Sequence, residues 1–259
     1  MTAYAQFAGF YDQVMGDRTP DVERVRRYVR RYHPAARSLL ELGCGTGAVL
    51  AGMTPGLSVA GIDQSAEMLA VAARSVPAAR LVQADMTSFA LRARFDVVIC
   101  VFDTLNHLRR LADWRATFDR VHEHLAHGGL FVFDVNTTGR LRGLWPGPAF
   151  AIDAGEHAVI MDVLPGGRGE GGEGELSIWT VRIFERVDGD MFRLHRETIG
   201  ELAVPLATIR AALAGNFDPL EEADLDGGPV TDESSRAFFA FRRRCPAGWQ
   251  LGGTDASQT

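Results

Sequence analysis

Apolar and polar positions along the chain change rhythm twice. Near the start, Val22, Val25 and Val29 recur at helical spacing behind the start signal Thr19-Pro20-Asp21, which predicts an amphipathic helix over 21–32. From Arg37 onward, short apolar runs alternate with helical ones. Strands are predicted over 38–42, 57–62, 80–83, 95–102 and 130–135. Helices are predicted over 48–53, 65–74 and 111–126, the last stopped by Gly128-Gly129. Strand and helix in strict alternation specify a mostly parallel, doubly wound α/β sheet with helices on both faces.

Past residue 136 the period falls to two. Residues 157–163, 175–187 and 190–204 read as strands, with Trp179, Val181 and Ile183 alternating with Thr180 and Arg182. Asp188-Gly189 supplies a hairpin turn. The stretch 165–174, PGGRGEGGEG, reads as a mobile low-complexity loop whose shortening leaves the thermal midpoint nearly unchanged. A helix over 205–214 and a strand over 236–243 rejoin the first pattern. The expected organisation is an N-terminal lid and helix (1–36), a doubly wound core (37–136 and 205–244), an antiparallel β insertion covering the substrate site (137–204) and a flexible polar tail (245–259).

Composition narrows the function classes. With 46% hydrophobic and 23% charged residues, the 259-residue chain is an ordinary folded protein. A net charge of −6 argues against a nucleic-acid partner, so the arginines between Arg24 and Arg31 read as a solvated helix face. Cys44, Cys100 and Cys245 are scattered and odd in number, which suits a reducing cytoplasm. The start MTAYAQFAGFYDQ does not read as a signal peptide, and no apolar run has membrane-spanning length.

The chemistry gathers at strand ends, where open parallel sheets bind their ligands. Glu41-Leu42-Gly43-Cys44-Gly45-Thr46-Gly47 follows the first strand, and its glycines let the backbone turn tightly beside a ligand. Read as Gly43, Gly45 and Ala48, the same turn fits a dinucleotide fingerprint. Asp63 ends the second strand and can accept both hydroxyls of a ribose; Asp85-Met86 ends the third and can meet an adenine. Phe102-Asp103-Thr104-Leu105-Asn106-His107 follows the fourth, placing an acid, an amide and an imidazole at one tip.

In this order the motifs resemble those of class I S-adenosylmethionine-dependent methyltransferases, over about residues 37–136. The resemblance implies a Rossmann-like fold and S-adenosylmethionine as cofactor. It gives Gly43, Gly45 and Gly47 to the methionine part, Asp63 to the ribose and Asp85 to the adenine, with Met86 on the ring. Tyr11, Glu41, Cys44, Gln64, Met68, Val101 and Phe102 are expected beside the same ligand. The early Tyr4-x-x-Phe7-x-x-x-Tyr11-Asp12 segment resembles the lid of amino-sugar N-methyltransferases. Val97-Val98-Ile99-Cys100 with Asn106-His107-Leu108 resembles glycine N-methyltransferase.

The expected activity is methylation of a small-molecule acceptor, an amine before a hydroxyl, in secondary metabolism. Methyl transfer needs two oriented partners and, for a protonated acceptor, a base. His107 is the candidate base, and Asp103 could hold an acceptor ammonium. Tyr4, Phe7, Asn106, Asn136, Trp145, Trp179, Arg182 and His195 are candidate substrate contacts, and the insertion is a candidate surface for self-association. No metal is expected: His122, His124 and His127 read as a helical cluster without carboxylate support. Cys245-Pro246 has the wrong order for a cytosine-methylating nucleophile, and no Asn-Pro-Pro-aromatic run follows the fourth strand. The remaining alternatives are small-molecule O-methylation, a nicotinamide-dependent oxidoreductase and a non-catalytic nucleoside-binding protein.

Overall fold

The computed structural model describes residues 8, 9, 11–145 and 147–245. Tyr4 and Phe7 lie outside the described residues. Two helices, α1 (Tyr11–Met15) and α2 (Thr19–Tyr32), precede β1 (Ser38–Leu42), α3 (Ala48–Met53), β2 (Ser58–Asp63), α4 (Ala66–Ser75), β3 (Arg80–Gln83), β4 (Phe95–Cys100), a 3-10 turn (Thr104–His107), α5 (Leu111–His124) and β5 (Leu125–Asn136). After α6 (Thr138–Arg142) come four strands, β6 (Phe150–Ala154), β7 (His157–Arg168), β8 (Glu175–Asp188) and β9 (Met191–Ala203). The chain closes with α7 (Leu206–Leu213), β10 (Phe217–Ala223) and β11 (Arg236–Arg243).

The main sheet runs β10-β11-β5-β4-β1-β2-β3. Its β5-β4-β1-β2-β3 part is parallel, and β11 and β10 add antiparallel at one edge. Apolar runs such as Leu39–Leu42 and Val97–Cys100 are buried because helices cover both faces. On one face Trp114, Phe118, Phe131 and Phe133 pack with Leu40 and Val98; on the other Val25, Tyr28 and Leu50 pack with Leu39 and Val97. Strands β6-β7-β8-β9 form a separate antiparallel sheet. Among the described residues no helix is long and apolar enough to cross a membrane.

Four local expectations change. Helix α5 ends at His124 rather than running to residue 126, because Leu125 already pairs with Phe95 and begins β5. His124 and His127 therefore do not share a helix: the His124 ring accepts from the Leu91 N–H and contacts the Arg120 carbonyl, while His127 lies in β5. Strand β10 has no clear sequence signal, since Pro219 and the acids Asp218, Glu221 and Glu222 mask it; a bulge between Pro219 and Glu221 fits an edge strand. Finally, Pro165–Arg168 are not loop. They extend β7 against Glu175–Ser177, and Gly169 and Gly174 at the loop's base are buried beside Leu202.

Candidate functional site

Strand β1 has β2 on one side and β4 on the other, so the crossovers part above their carboxyl ends. A crevice at such a switch point follows from the topology. Here it is a cavity of about 390 Å³, bounded below by the turn after β1 and above by β7, β8 and β9.

The turn supplies the floor. Gly43 and Gly45 take φ +64° and +53°, a region costly to side-chain-bearing residues. A Cβ on Gly43 would stand 2.3 Å from the Thr104 Cγ2, whereas one on Gly45 would meet nothing within 4 Å and would project into open space. The Asp63 carboxylate organises this floor: Oδ2 accepts from the Gly45 N–H at 2.9 Å and Oδ1 from the Ser65 N–H at 2.8 Å. Ser65 in turn caps α4 through the Met68 N–H. Glu41 is buried on the same wall, and its Oε2 has no hydrogen-bond partner among the described residues. Burial, then the nearby Asp63, pushes the Glu41 carboxyl well above the usual carboxylate range. Helix α1 is tied over the turn by Thr46, whose hydroxyl donates to Asp12 at 2.6 Å, and this brings Tyr11 and Met15 to the cavity.

The second wall is the tip after β4. Phe102 and Asp103 both have positive φ, +61° and +48°, at a cost of about 1–3 kcal/mol each. Asp134, fully buried on β5, holds them there: its carboxylate accepts from the Phe102 N–H at 2.9 Å and the Asp103 N–H at 2.7 Å. Burial raises Asp134 to about 6 against the opposing pull of Arg236. From β11, Arg236 donates to Asp103 at 2.6 Å, to Asp134 at 3.4 Å and to the Asn136 Oδ1 at 3.3 Å. The Arg18 guanidinium lies 3.8 Å from the Phe102 ring centre. His107 lines the cavity beyond Asp103, and burial lowers its imidazole below the ordinary range, so it is neutral at pH 7.

The β6–β9 sheet forms the roof. Met161, Trp179, Val181 and Ile199 give it an apolar face, and Glu201 gives it a carboxyl group that accepts from the Asn136 Nδ2 at 3.0 Å. Burial, then Asp103, raises Glu201 to about 8.

Of the expected site residues, Tyr11, Glu41, Gly43, Cys44, Gly45, Asp63, Gln64, Met68, Met86, Val101, Phe102, Asp103, His107, Asn136 and Trp179 line this one cavity. Burial pushes the Cys44 thiol up, so it is a wall and not a nucleophile.

Six do not line it. Gly47 caps α3 in a left-handed conformation, packed on Ala72 and Val76. Asp85 is exposed and its Oδ1 accepts from the Thr87 N–H and hydroxyl, while its neighbours Ala84 and Met86 line the cavity. Asn106 is buried as a clamp: its amide donates to the Asn136 and Leu202 carbonyls and accepts from the Asn136 N–H. The Trp145 indole donates to Ser177, Arg182 pairs with Asp162, and His195 contacts Glu185 at 2.8 Å.

Sequence reasoning missed Arg18, Arg140, Glu201 and Arg236 and gave Asp12 no role beyond the lid segment, yet all five are on the cavity wall. For Arg236 and Glu201 the only available signal was their place at strand ends whose partners the sequence does not name.

Comparison with known proteins agrees with this geometry. Residues 39–129 match a family model described as a methyltransferase domain. The chain is 28% identical over 250 residues to a protein named as a methyltransferase in Geobacillus sp. strain WCH70, covering 93% of this chain and 99% of that one. It is 36% identical over 134 residues to the dTDP-3-amino-3,6-dideoxy-alpha-D-glucopyranose N,N-dimethyltransferase of Streptomyces fradiae, a match spanning about half of each chain (50% and 52%). Among solved structures, an S-adenosylmethionine-dependent methyltransferase from Clostridium acetobutylicum superposes with a TM-score of 0.81 at 23% identity, over 94% of this chain and 100% of that one. A sugar N-methyltransferase from Streptoalloteichus superposes with a TM-score of 0.72 at 26% identity, over 91% of each.

Proposed function

We propose that the chain is a class I S-adenosylmethionine-dependent methyltransferase that transfers the methyl group to the nitrogen of a small amine, a reading supported by the matched methyltransferase domain and the sugar N-methyltransferase relatives. The residues present fit the cofactor. Glu41 keeps a buried carboxyl oxygen without a partner among the described residues, Gly45 leaves open space where a side chain would project, and Asp63 retains acceptor capacity for hydroxyl groups. Met68, Met86, Ala84 and Ile62 offer an apolar wall to a purine. When bound, S-adenosylmethionine supplies an electrophilic methyl carbon on a sulfonium. A pyrophosphate cofactor suits this floor less well, because the Gly45 N–H already serves Asp63, and Asp12 and Asp63 set acids beside the turn.

The observation that carries the amine reading is the acceptor end of the cavity. Asp103 and Glu201 place carboxyl groups there beside a neutral His107, under an apolar roof containing Trp179. Such a wall favours a cationic or neutral nitrogen over a carboxylate acceptor, whose charge it would oppose. The N,N-dimethyltransferases of amino sugars among the relatives support the same choice. In this reading Asp103, held by Arg236, shapes the acceptor end, and the His107 imidazole accepts a hydrogen bond from the acceptor nitrogen. The chain itself thus contributes orientation and exclusion of water, which in well-oriented pairs lowers barriers by about 7–11 kcal/mol.

The test is turnover. The protein with S-adenosylmethionine is offered dTDP-3-amino-3,6-dideoxyglucose, a panel of simpler amino sugars, trans-aconitate and catechol, and methylated products are read by mass spectrometry. Methylation confined to amines is expected. Methylation of trans-aconitate or catechol with none of any amine overturns the reading.

A further inference from the structure

Strand β9 brings one acid to the cavity that the floor and the strand tip do not account for. Glu201 is 5% exposed, yet its carboxyl forms part of the cavity wall. Its single hydrogen bond among the described residues comes from the Asn136 amide. That amide cannot turn over: Arg236 is a donor only and holds the Asn136 Oδ1, which leaves Nδ2 for Glu201. Arg236 itself is committed to Asp103 and Asp134. Four side chains from four strands or strand tips therefore stand in a row, Asp103, Arg236, Asn136 and Glu201. The last ends in the cavity with no ion pair among the described residues.

We propose that Glu201 receives the acceptor ammonium and takes the proton it must lose before methylation. The inference rests on the N-methylation reading above. The groups around Glu201 are Asp103 at the tip of β4, Arg236 on β11, Arg140 on α6, Asn136 on β5 and His107 in the 3-10 turn. Asp103 and Asp134 already exceed Arg236 by one charge, so ionising Glu201 as well leaves the buried cluster in need of a cation. An ammonium at the cavity's acceptor end provides it. A proton held by Glu201 near pH 8 is also far closer to an amine's than one held by an imidazole below its ordinary range. General bases act best when so matched.

The step balances. One N–H proton of the ammonium passes to the Glu201 carboxylate, giving the neutral amine and a carboxylic acid. The nitrogen lone pair then forms the N–CH₃ bond as the S–CH₃ bond breaks, its electron pair returning to sulfur. The product leaves as the N-methylammonium, and Glu201 returns its proton to water.

Glu201→Gln tests this, since the amide keeps the shape and can still accept from Asn136. With dTDP-3-amino-3,6-dideoxyglucose, or the best amine of the panel, kcat should fall by about 10²–10⁴. S-adenosylmethionine affinity, measured by calorimetry, should stay unchanged, and the acidic limb of kcat/KM, near pH 8 in the parent, should move to the ionisation of the acceptor amine itself, shifting from one amine to another. Glu201→Asp should recover part of the rate. A parental rate in Glu201→Gln, or a limb that stays where the parent has it whichever amine is used, overturns the proposal. Independently of turnover, the carboxyl ¹³C resonance that Glu201→Gln removes should titrate near pH 8 in the parent. A midpoint near the ordinary glutamate value of 4.5 overturns it. These failures differ from failure of the N-methylation reading, in which the parent methylates no amine at all; that result removes the proposal with its premise.

Discussion

Arg236 donates to Asp103 at 2.6 Å, joining residues 133 positions apart in the chain at the tip of one strand and the start of another. The pair stands beside Asp134, which is fully buried, so Arg236 offsets part of the charge of two carboxylates, one of which, Asp134, holds the Phe102-Asp103 backbone in its left-handed conformation. Removing one partner of such a buried cluster strands the other charges. Arg236→Met should therefore destabilise the fold by about 3–5 kcal/mol, read by urea unfolding. Arg236→Lys should also lose much of this, because a single ammonium cannot reproduce the guanidinium fork. A variant as stable as the parent would show that the cluster does not depend on the cation.

Asp63 binds the floor to itself before it binds any ligand, through the Gly45 and Ser65 N–H groups. Asp63→Asn retains one acceptor oxygen and removes the charge. It should weaken S-adenosylmethionine by about 1.5–3 kcal/mol for each ribose hydroxyl left without its carboxylate acceptor, measured by titration calorimetry. Gly45→Ala should damage binding more than folding, because its new methyl group projects into open cavity space rather than into protein. Gly43→Ala should damage both, since its methyl would collide with Thr104. Equal losses in the two glycine variants would contradict this division.

The core and the floor were legible because each of their signals is local. Glu41, Gly43 to Thr46 and Asp63 are set by strand ends that period and glycines mark, and they arrive in one cavity because the strands are parallel neighbours. The acceptor end was less legible for the opposite reason. Arg236 reaches Asp103 only because β11 pairs with β5 in a register that sets Arg236 beside Asn136. Glu201 reaches the cavity only because the second sheet lies over the first. In contrast, the alternating strands make Arg182 and His195 look like site residues, yet their side chains meet Asp162 and Glu185 instead.

The stretch 165–174 calls for a revised expectation. Its glycine-rich composition alone implies that it can be shortened without consequence. Yet Arg168 pairs with Glu175 in the β7–β8 ladder, and the Glu170 N–H donates to the Arg109 carbonyl. Gly169 and Gly174 lie against Leu202, where an added Cβ would stand 2.5 and 2.9 Å from its Cδ1. Deleting residues 166–174 should lower the thermal midpoint by several degrees, at roughly 2–4 °C per kcal/mol for a chain of this size. Differential scanning calorimetry decides, and an unchanged midpoint would restore the loop reading.

Glu201 also makes a prediction about stability that needs no substrate. Its proton is held in the folded protein up to about pH 8, well above the ordinary glutamate value of 4.5. The folded state therefore binds a proton that the unfolded chain has released, and this contribution is complete below the unfolded value and lost as pH rises through the folded one. Asp134, raised to about 6, acts in the same direction at lower pH, while His107 and His122, both lowered from 6.5, act in the opposite direction until their unfolded imidazoles have titrated, about one unit above that value. Between about pH 7.5 and 8 the slope thus belongs chiefly to Glu201. Over that interval the parent should lose stability at up to ~1.4 kcal/mol per pH unit, while Glu201→Gln, neutral throughout, should lose much less. The stability of the parent relative to the variant should consequently fall as pH rises through this range. Urea unfolding across this range measures it. Parallel curves would mean that Glu201 is ionised in the folded protein at neutral pH, and that an ion pair holds it there.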